Sequence, residues 1–122
     1  EEWIVDCQFD QSTAMQKAME LKHRYPGIDA FFCASDGIAI GAIDGMMQLG
    51  MQVPQDVAVA GFDDFTVSKY IHGGITSVKQ YPYEMGVACA NTVVSMIDGN
   101  RVPDWIPMEY KLMKRTSTKA KL

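Results

Sequence analysis

The sequence predicts an α/β domain built on a parallel sheet, and three observations point there. Two short apolar runs, Ala30-Phe31-Phe32-Cys33-Ala34 and Val57-Ala58-Val59-Ala60, each stop at a polar pair, Ser35-Asp36 and Asp63-Asp64. A segment of helical periodicity lies between them, and strand-like and helix-like stretches alternate through short loops along the chain. In an open parallel sheet, ligands sit outside the carboxyl ends of the strands, so both polar pairs are expected to face one crevice.

In chain order, Trp3 to Cys7 reads as a short strand, followed by Asp10 or Ser12 as the N-cap of a helix carrying Ala14, Ala18, Leu21 and Tyr25 on one stripe. Pro26-Gly27 ends that helix. After the strand Ala30 to Ala34, the segment Ile38 to Leu49 places Ala39, Ala42, Ile43, Met46 and Leu49 at helical spacing, widened by Met47, with Gly50 as C-terminal cap. Pro54-Gln55-Asp56 is a loop before the strand Val57 to Ala60. Ser68 to Ile71 suits one helical turn, Gly73-Gly74 breaks the chain, and Ile75 to Lys79 is strand-like. Met85, Cys89, Val93 or Thr92, Met96 and Ile97 define the longest helix, Pro82 to Asp98, stopped by Gly99. A last strand is expected near Trp105 to Met113.

Composition narrows the class. The 122 residues are 48% hydrophobic and 21% charged, which suits one folded domain and not a disordered chain. No apolar run approaches the roughly 20 residues that a membrane helix needs. A net charge of -4 argues against a nucleic-acid surface within this segment, since neutralising phosphates takes clustered Lys and Arg. Only the tail, with Lys111, Lys114, Arg115, Lys119 and Lys121, is basic. Cys7, Cys33 and Cys89 are widely spaced and odd in number, which indicates neither a disulfide framework nor a zinc site and fits a reducing, cytoplasmic compartment. The first residue is Glu1 and not Met, so the chain is expected to be a piece of a longer protein.

The polar residues suit binding better than catalysis. No nucleophile-and-base pair or metal-ligand cluster is evident, no Gly-Lys-Ser/Thr follows Gly37 and Gly41, and no Gly-x-Ser-x-Gly elbow occurs. His23, at a polar helix end, and His72, beside the Gly-Gly turn, read as solvated surface residues. The expectation is a protein that is not an enzyme and needs neither cofactor nor metal. An ionised carboxylate, by contrast, can accept two adjacent hydroxyls of a polyol at once. Asp36 is open between two roles, capping the helix that begins near Ile38 and contacting a ligand. Asp63 ends a buried strand with no comparable helix behind it, so a site role is favoured there, and Asp64 is read as the turn or cap residue of the pair. Phe62 and Phe65 could stack on a sugar face, although aromatic residues beside a strand end usually belong to the core. Met15, Met19, Met46, Met47 and Met51 are read first as core or as a packed subunit surface.

Two long segments stand out, Phe31-Phe32-Cys33-Ala34-Ser35-Asp36-Gly37-Ile38-Ala39-Ile40-Gly41-Ala42 and the run from Leu49 through Val53-Pro54-Gln55-Asp56 to Gly61-Phe62-Asp63-Asp64. Ile75-Thr76-Ser77-Val78-Lys79-Gln80, Glu84-Met85-Gly86 and Lys114-Arg115-Thr116-Ser117 follow them. In this register and spacing the segments resemble the LacI/GalR family of bacterial transcription regulators, in particular its periplasmic-binding-protein-like effector domain. The resemblance implies a two-lobed fold that closes on a small sugar-like or nucleoside-like effector, and a helix-turn-helix headpiece, absent from this chain, that reads operator DNA. It implies ligand-binding roles for Asp63, Ser35, Asp36 and Gln80, with Ser35 standing where Asn is common, and Phe62 joins these ligand-binding candidates as the ring that could stack on a sugar. A homodimer is implied too, with Ile43, Met46 and Met47 on its interface helix.

The resemblance also divides the chain. Residues 1–80 would be the C-terminal lobe lacking its first strand and helix, residues 81–104 a crossover helix belonging to the other lobe, and residues 105–122 a returning strand with the basic tail. The central strand would be missing between Trp3–Cys7 and Ala30–Ala34, and the helix Pro82 to Asp98 would lack a partner. Such a piece is expected to associate with another copy of itself. Two other readings share the fold, a periplasmic solute-binding protein for sugar uptake and the sensory input of a larger signalling protein. The free cysteines and the Val53-Pro54-Gln55-Asp56 run resemble the regulators more.

Overall fold

The computed structural model describes residues 2–118. Its sheet has four strands in the order β1-β2-β3-β4, where β1 is Ala30–Phe32, β2 Ala58–Asp63, β3 Thr76–Gln80 and β4 Tyr110–Met113. The first three run parallel, with Ala30 opposite Ala58 and Ala60 opposite Thr76, while β4 returns antiparallel with Ser77 opposite Met113. A parallel neighbour requires a crossover connection, and α2 (Asp36–Gln48) supplies the one between β1 and β2.

Helix α1 (Gln11–Arg24) starts at Asp10, whose carboxylate accepts the Thr13 backbone N–H at 2.7 Å and so satisfies one of the open donors of the first turn. Its buried stripe is Ala14, Ala18 and Leu21, three residues of the expected face. Glycines in α2 let the two helices meet closely: a Cβ at Gly41 would collide with the Gln11 carbonyl oxygen, and one at Gly45 would press on the Met15 carbonyl. Behind this contact, Ala39, Ile40, Ala42, Ile43 and Met46 of α2 pack with Val57, Val59 and Ile75 to form the core. Gly50, at φ +74°, ends the helix in the left-handed conformation that glycine adopts without a Cβ penalty.

Three expectations need correction. Trp3 to Cys7 forms no strand, because a strand exists only in a ladder and β1, the edge on that side, pairs with β2 alone. Trp3 instead leans on Tyr25, their ring centroids 6.3 Å apart. Leu49 leaves the α2 stripe and is exposed. Ile43 and Met46 are 1% and 0% exposed, enclosed by the core of their own chain, so of the three residues expected at a dimer surface only Met47, at 55%, presents its side chain outward.

The longest helix, α3 (Pro82–Ile97), has Pro82 at its first position, where no backbone donor is needed, and Gly99 beyond its end at φ +78°. It buries none of its residues; Val93, Val94, Met96 and Ile97 all stand exposed. The expected turn after β2 comprises two 3-10 turns, Thr66–Lys69 and Ile71–Gly73. Lys119 and Lys121 of the basic tail lie outside the described residues.

Candidate functional site

The carboxyl end of β2 turns sharply. Asp63 and Asp64 have φ values of +99° and +55°, a region in which residues with a side chain are uncommon and persist where the surroundings hold them. The turn forms one wall of a cleft of about 820 Å³. Lys79 and Gln80, from the end of β3, and Pro82 and Met85, from the first turn of α3, form the rest, with Phe65, Thr66 and Val67 along the rim. The cleft therefore sits at the carboxyl ends of parallel strands, as the topology requires.

Asp63 and Gln80 are brought together. The Gln80 Nε2 donates to Asp63 Oδ1 at 2.6 Å, a charge-assisted bond that fixes the carboxylate plane. Among the described residues the second oxygen, Oδ2, has no protein donor, so it can accept from a hydroxyl or an N–H group of a ligand. The Lys79 ammonium lies 5.3 Å from the centroid of the Tyr81 ring, a cation–π arrangement that leaves its donors available at the cleft. Carboxylate, amide and ammonium side by side, with Phe65 and Val67 as apolar rim, can bind a small polyhydroxylated molecule and orient it.

Asp64 does different work. Its carboxylate pairs with the Arg115 guanidinium, and its side chain is only 3% exposed. Arg115 donates from its other terminal nitrogen to the Ile75 carbonyl at 2.7 Å, so the arginine fastens the segment after β4 to the turn. By composition Arg115 reads as one of several solvated basic residues of the tail. Its place in the Lys114-Arg115-Thr116-Ser117 run is the signal that could have singled it out.

Ser35, Asp36 and Phe62 do not line the cleft. The N-cap of α2 is Ser35, whose Oγ accepts the Ile38 N–H at 3.3 Å, and Asp36 is the first helical residue. Instead of facing the crevice, Asp36 is 0% exposed and turns inward, accepting from Phe65 N at 2.7 Å, Ser68 Oγ at 2.6 Å and Ser77 Oγ at 2.6 Å. Phe62 is half-buried within β2, opposite Val78 of β3. His72 meets Asp44 at 2.9 Å, away from the cleft. Among the described residues no group of His, Cys, Asp and Glu is disposed to hold a metal ion.

The cysteines lie elsewhere. Cys7 and Cys33 are buried, whereas Cys89 is exposed on α3. Burial, with lesser contributions from Cys7 and Asp36, pushes the Cys33 thiol up to about 12, and burial beside Asp6 raises that of Cys7. Both are held as neutral thiols, not nucleophiles.

Comparison with known proteins places this geometry in context. The periplasmic binding protein-like domain family matches residues 3–118. The HTH-type transcriptional regulator CelR of Thermobifida fusca is 37% identical over 113 residues, which are 92% of this chain and 33% of that protein. The HTH-type transcriptional repressor PurR of Yersinia pestis (strain Pestoides F) is 32% identical over 121 residues, covering 96% of this chain and 35% of the repressor. The chain thus spans about a third of the length of the curated relatives it matches. Among solved structures, a complex of the regulator CelR with cellobiose superposes with a TM-score of 0.80 at 36% identity, over 89% of this chain and 34% of that one. The lac repressor dimer, bound to operator and an anti-inducer, shares the fold at a TM-score of 0.83 and 24% identity, over 91% of this chain and 34% of the repressor chain.

Proposed function

The chain belongs to the periplasmic binding protein-like domain family, and from that premise we propose that it is part of the effector-binding domain of a LacI/GalR-type transcriptional regulator sensing a small sugar-like or nucleoside-like molecule. One observation carries the reading: the Asp63 carboxylate stands at the carboxyl end of β2, braced by Gln80, with an oxygen free for a ligand. Relatives at 37% and 32% identity that are regulators favour this reading over a solute-binding protein. Similarity to CelR, whose structure holds cellobiose, favours a sugar as the first candidate.

The mechanism follows from differential binding. An effector seated against Asp63, Gln80 and Lys79 on this lobe, and against a second lobe outside this chain, stabilises whichever lobe arrangement makes both sets of contacts. In a cytoplasmic homodimer carrying DNA-binding headpieces, that preference changes affinity for operator DNA, and linkage makes the effect reciprocal. The chain performs no catalysis in this account, and no cofactor enters it.

Calorimetric titration of the intact protein with cellobiose, other mono- and disaccharides, and nucleosides tests the reading. One class binds, and Asp63→Ala weakens that binding by about 1.5–3 kcal/mol, the worth of a hydrogen bond to a charged group. Equal affinity of wild type and Asp63→Ala would remove Asp63 from the site, and a panel without any binder would refute the proposed effector class.

A further inference from the structure

We propose that Asp36, which never touches the cleft, is the positioning residue that holds its acidic turn in shape. The proposal rests on the reading of Asp63 as the effector-binding carboxylate.

Both carboxylate oxygens of Asp36 accept hydrogen bonds around the turn. Its Oδ2 accepts from the Phe65 backbone N–H and the Ser68 hydroxyl, which fixes the chain immediately after the turn. Its Oδ1 accepts from the Ser77 hydroxyl. Ser77 Oγ in turn accepts the Asp64 backbone N–H at 3.0 Å, so one hydroxyl relays the carboxylate to the turn itself. Asp36 therefore holds the pair Asp63-Asp64, at φ +99° and +55°, at two places: at the Asp64 amide through Ser77, and just beyond the pair at Phe65 and Ser68. Left-handed conformations at residues with side chains persist only where neighbours over-determine them, and this network is such a set of neighbours.

Two further features show that the site is built around the carboxylate. The first is Gly61, two residues before Asp63: a Cβ there would collide with Asp36 Oδ1 and come within 3.2 Å of its Cα, so β2 lies directly on Asp36 because residue 61 has no side chain. The second is the place of Asp36 in the first turn of α2, where the helix's unpaired N–H groups favour a negative charge. Asp36 is fully enclosed, as are Ser68 and Ser77, and every buried polar side-chain atom among the described residues has a partner. A carboxylate satisfied on both oxygens and sealed from solvent orients others and does not bind ligand itself.

Asp36→Asn keeps the shape of the side chain but replaces one acceptor oxygen with a donor facing donors. Hydrogen–deuterium exchange on the intact, ligand-free protein reads its effect on the turn, and titration with cellobiose reads its effect on binding. We expect faster exchange confined to the amides of residues 61–68 and cellobiose affinity lowered about tenfold or more, with no further loss when Asp36→Asn is added to Asp63→Ala, because one residue acts through the other. Ser77→Ala, which breaks the relay while leaving Asp36 in place, is expected to expose the Asp64 amide selectively and serves if Asp36→Asn does not fold. Unchanged exchange across residues 61–68 in a folded variant, or uniformly faster exchange along the whole chain, would overturn the positioning role. Full additivity with Asp63→Ala would overturn it as well. If cellobiose fails to bind the wild type, the exchange measurement still decides the role of Asp36, and unaltered binding by Asp63→Ala alone would count against the effector reading instead.

Discussion

Ser117 offers the most direct check on how the final segment is joined to the sheet. It is 2% exposed, its Oγ donates to the Val59 carbonyl at 2.6 Å, and the same oxygen accepts the Thr76 backbone N–H at 2.8 Å. One hydroxyl thus closes the space between β2 and β3 where their ladder begins, at Ala60 opposite Thr76. Ser117→Ala removes the hydroxyl with almost no change in volume and leaves a carbonyl and an amide buried without partners. Each buried backbone group left unpaired costs about 1–3 kcal/mol, so with two such groups the variant is expected to lose about 2–6 kcal/mol. Urea unfolding of the intact protein measures this, and with a slope of about 2 kcal/mol/M the transition of this lobe moves down by about 1–3 M. The Thr76 amide, now unbonded, should also exchange faster with solvent. A loss below about 0.5 kcal/mol, within the range of an ordinary surface substitution, would refute the reasoning, because it would mean that these two groups have other partners.

Further predictions address other parts of the fold. Gly61→Ala drives a Cβ into the buried Asp36 carboxylate and should destabilise the lobe by about 1–3 kcal/mol or more, measured by the same urea transition; a neutral result would contradict the packing of β2 on α2. Cys33, with its thiol at about 12, should resist iodoacetamide at pH 8.5 until denaturant is added. Since its proton is held more tightly folded than unfolded, its contribution to stability is complete below pH 9 and declines between pH 9 and about 12, at a slope of up to about 1.4 kcal/mol per pH unit. A Cys33→Ala variant whose stability falls equally over that window would rule Cys33 out as the cause. The 122-residue chain alone, with β1 paired on one side and α3 burying nothing, should scatter light as a dimer or larger at micromolar concentration; a monomer would sink that expectation.

How much of this was legible in the sequence depends on how local the cause is. Periodicity and punctuation gave α1, α2 and α3 close to their bounds, since Asp10 acts through its own carboxylate on the adjoining turn and Gly50, Pro82 and Gly99 through their own backbone. The placing of Asp63 in a cleft followed from strand polarity, which is a rule of topology, while the strand ends differ from the expected Ala34 and Ala60: β1 stops at Phe32 and β2 runs on to Asp63. Trp3 to Cys7 failed because its apolar residues signal a capacity for strand, while the ladder depends on a neighbour that its own residues cannot supply. Ile43 and Met46 were open to two readings because an apolar helix stripe looks the same whether it meets the core of its own chain or another copy.

Asp36 shows the limit most clearly. One position separates it from the cap residue Ser35, and both side chains are short and polar, so the sequence alone leaves cap and ligand contact equally open. Its inward turn is decided by partners 29 to 41 residues away, Phe65, Ser68 and Ser77, which no local pattern connects. Arg115 was hidden in the same way, its charge counted with the basic tail while its guanidinium was committed to Asp64.

The central claim is that the Asp63 cleft receives an effector that controls DNA binding, and its most direct test is fluorescence anisotropy on the intact protein. The protein is titrated with a labelled duplex from upstream of its own gene, with and without each compound that the calorimetric panel finds to bind. Linkage requires one such compound to change DNA affinity, typically by about 5–150-fold, and Asp63→Ala should shift that response to higher compound concentration while leaving DNA affinity without compound unchanged. DNA affinity indifferent to every compound that binds, or a response identical in wild type and Asp63→Ala, would contradict the account.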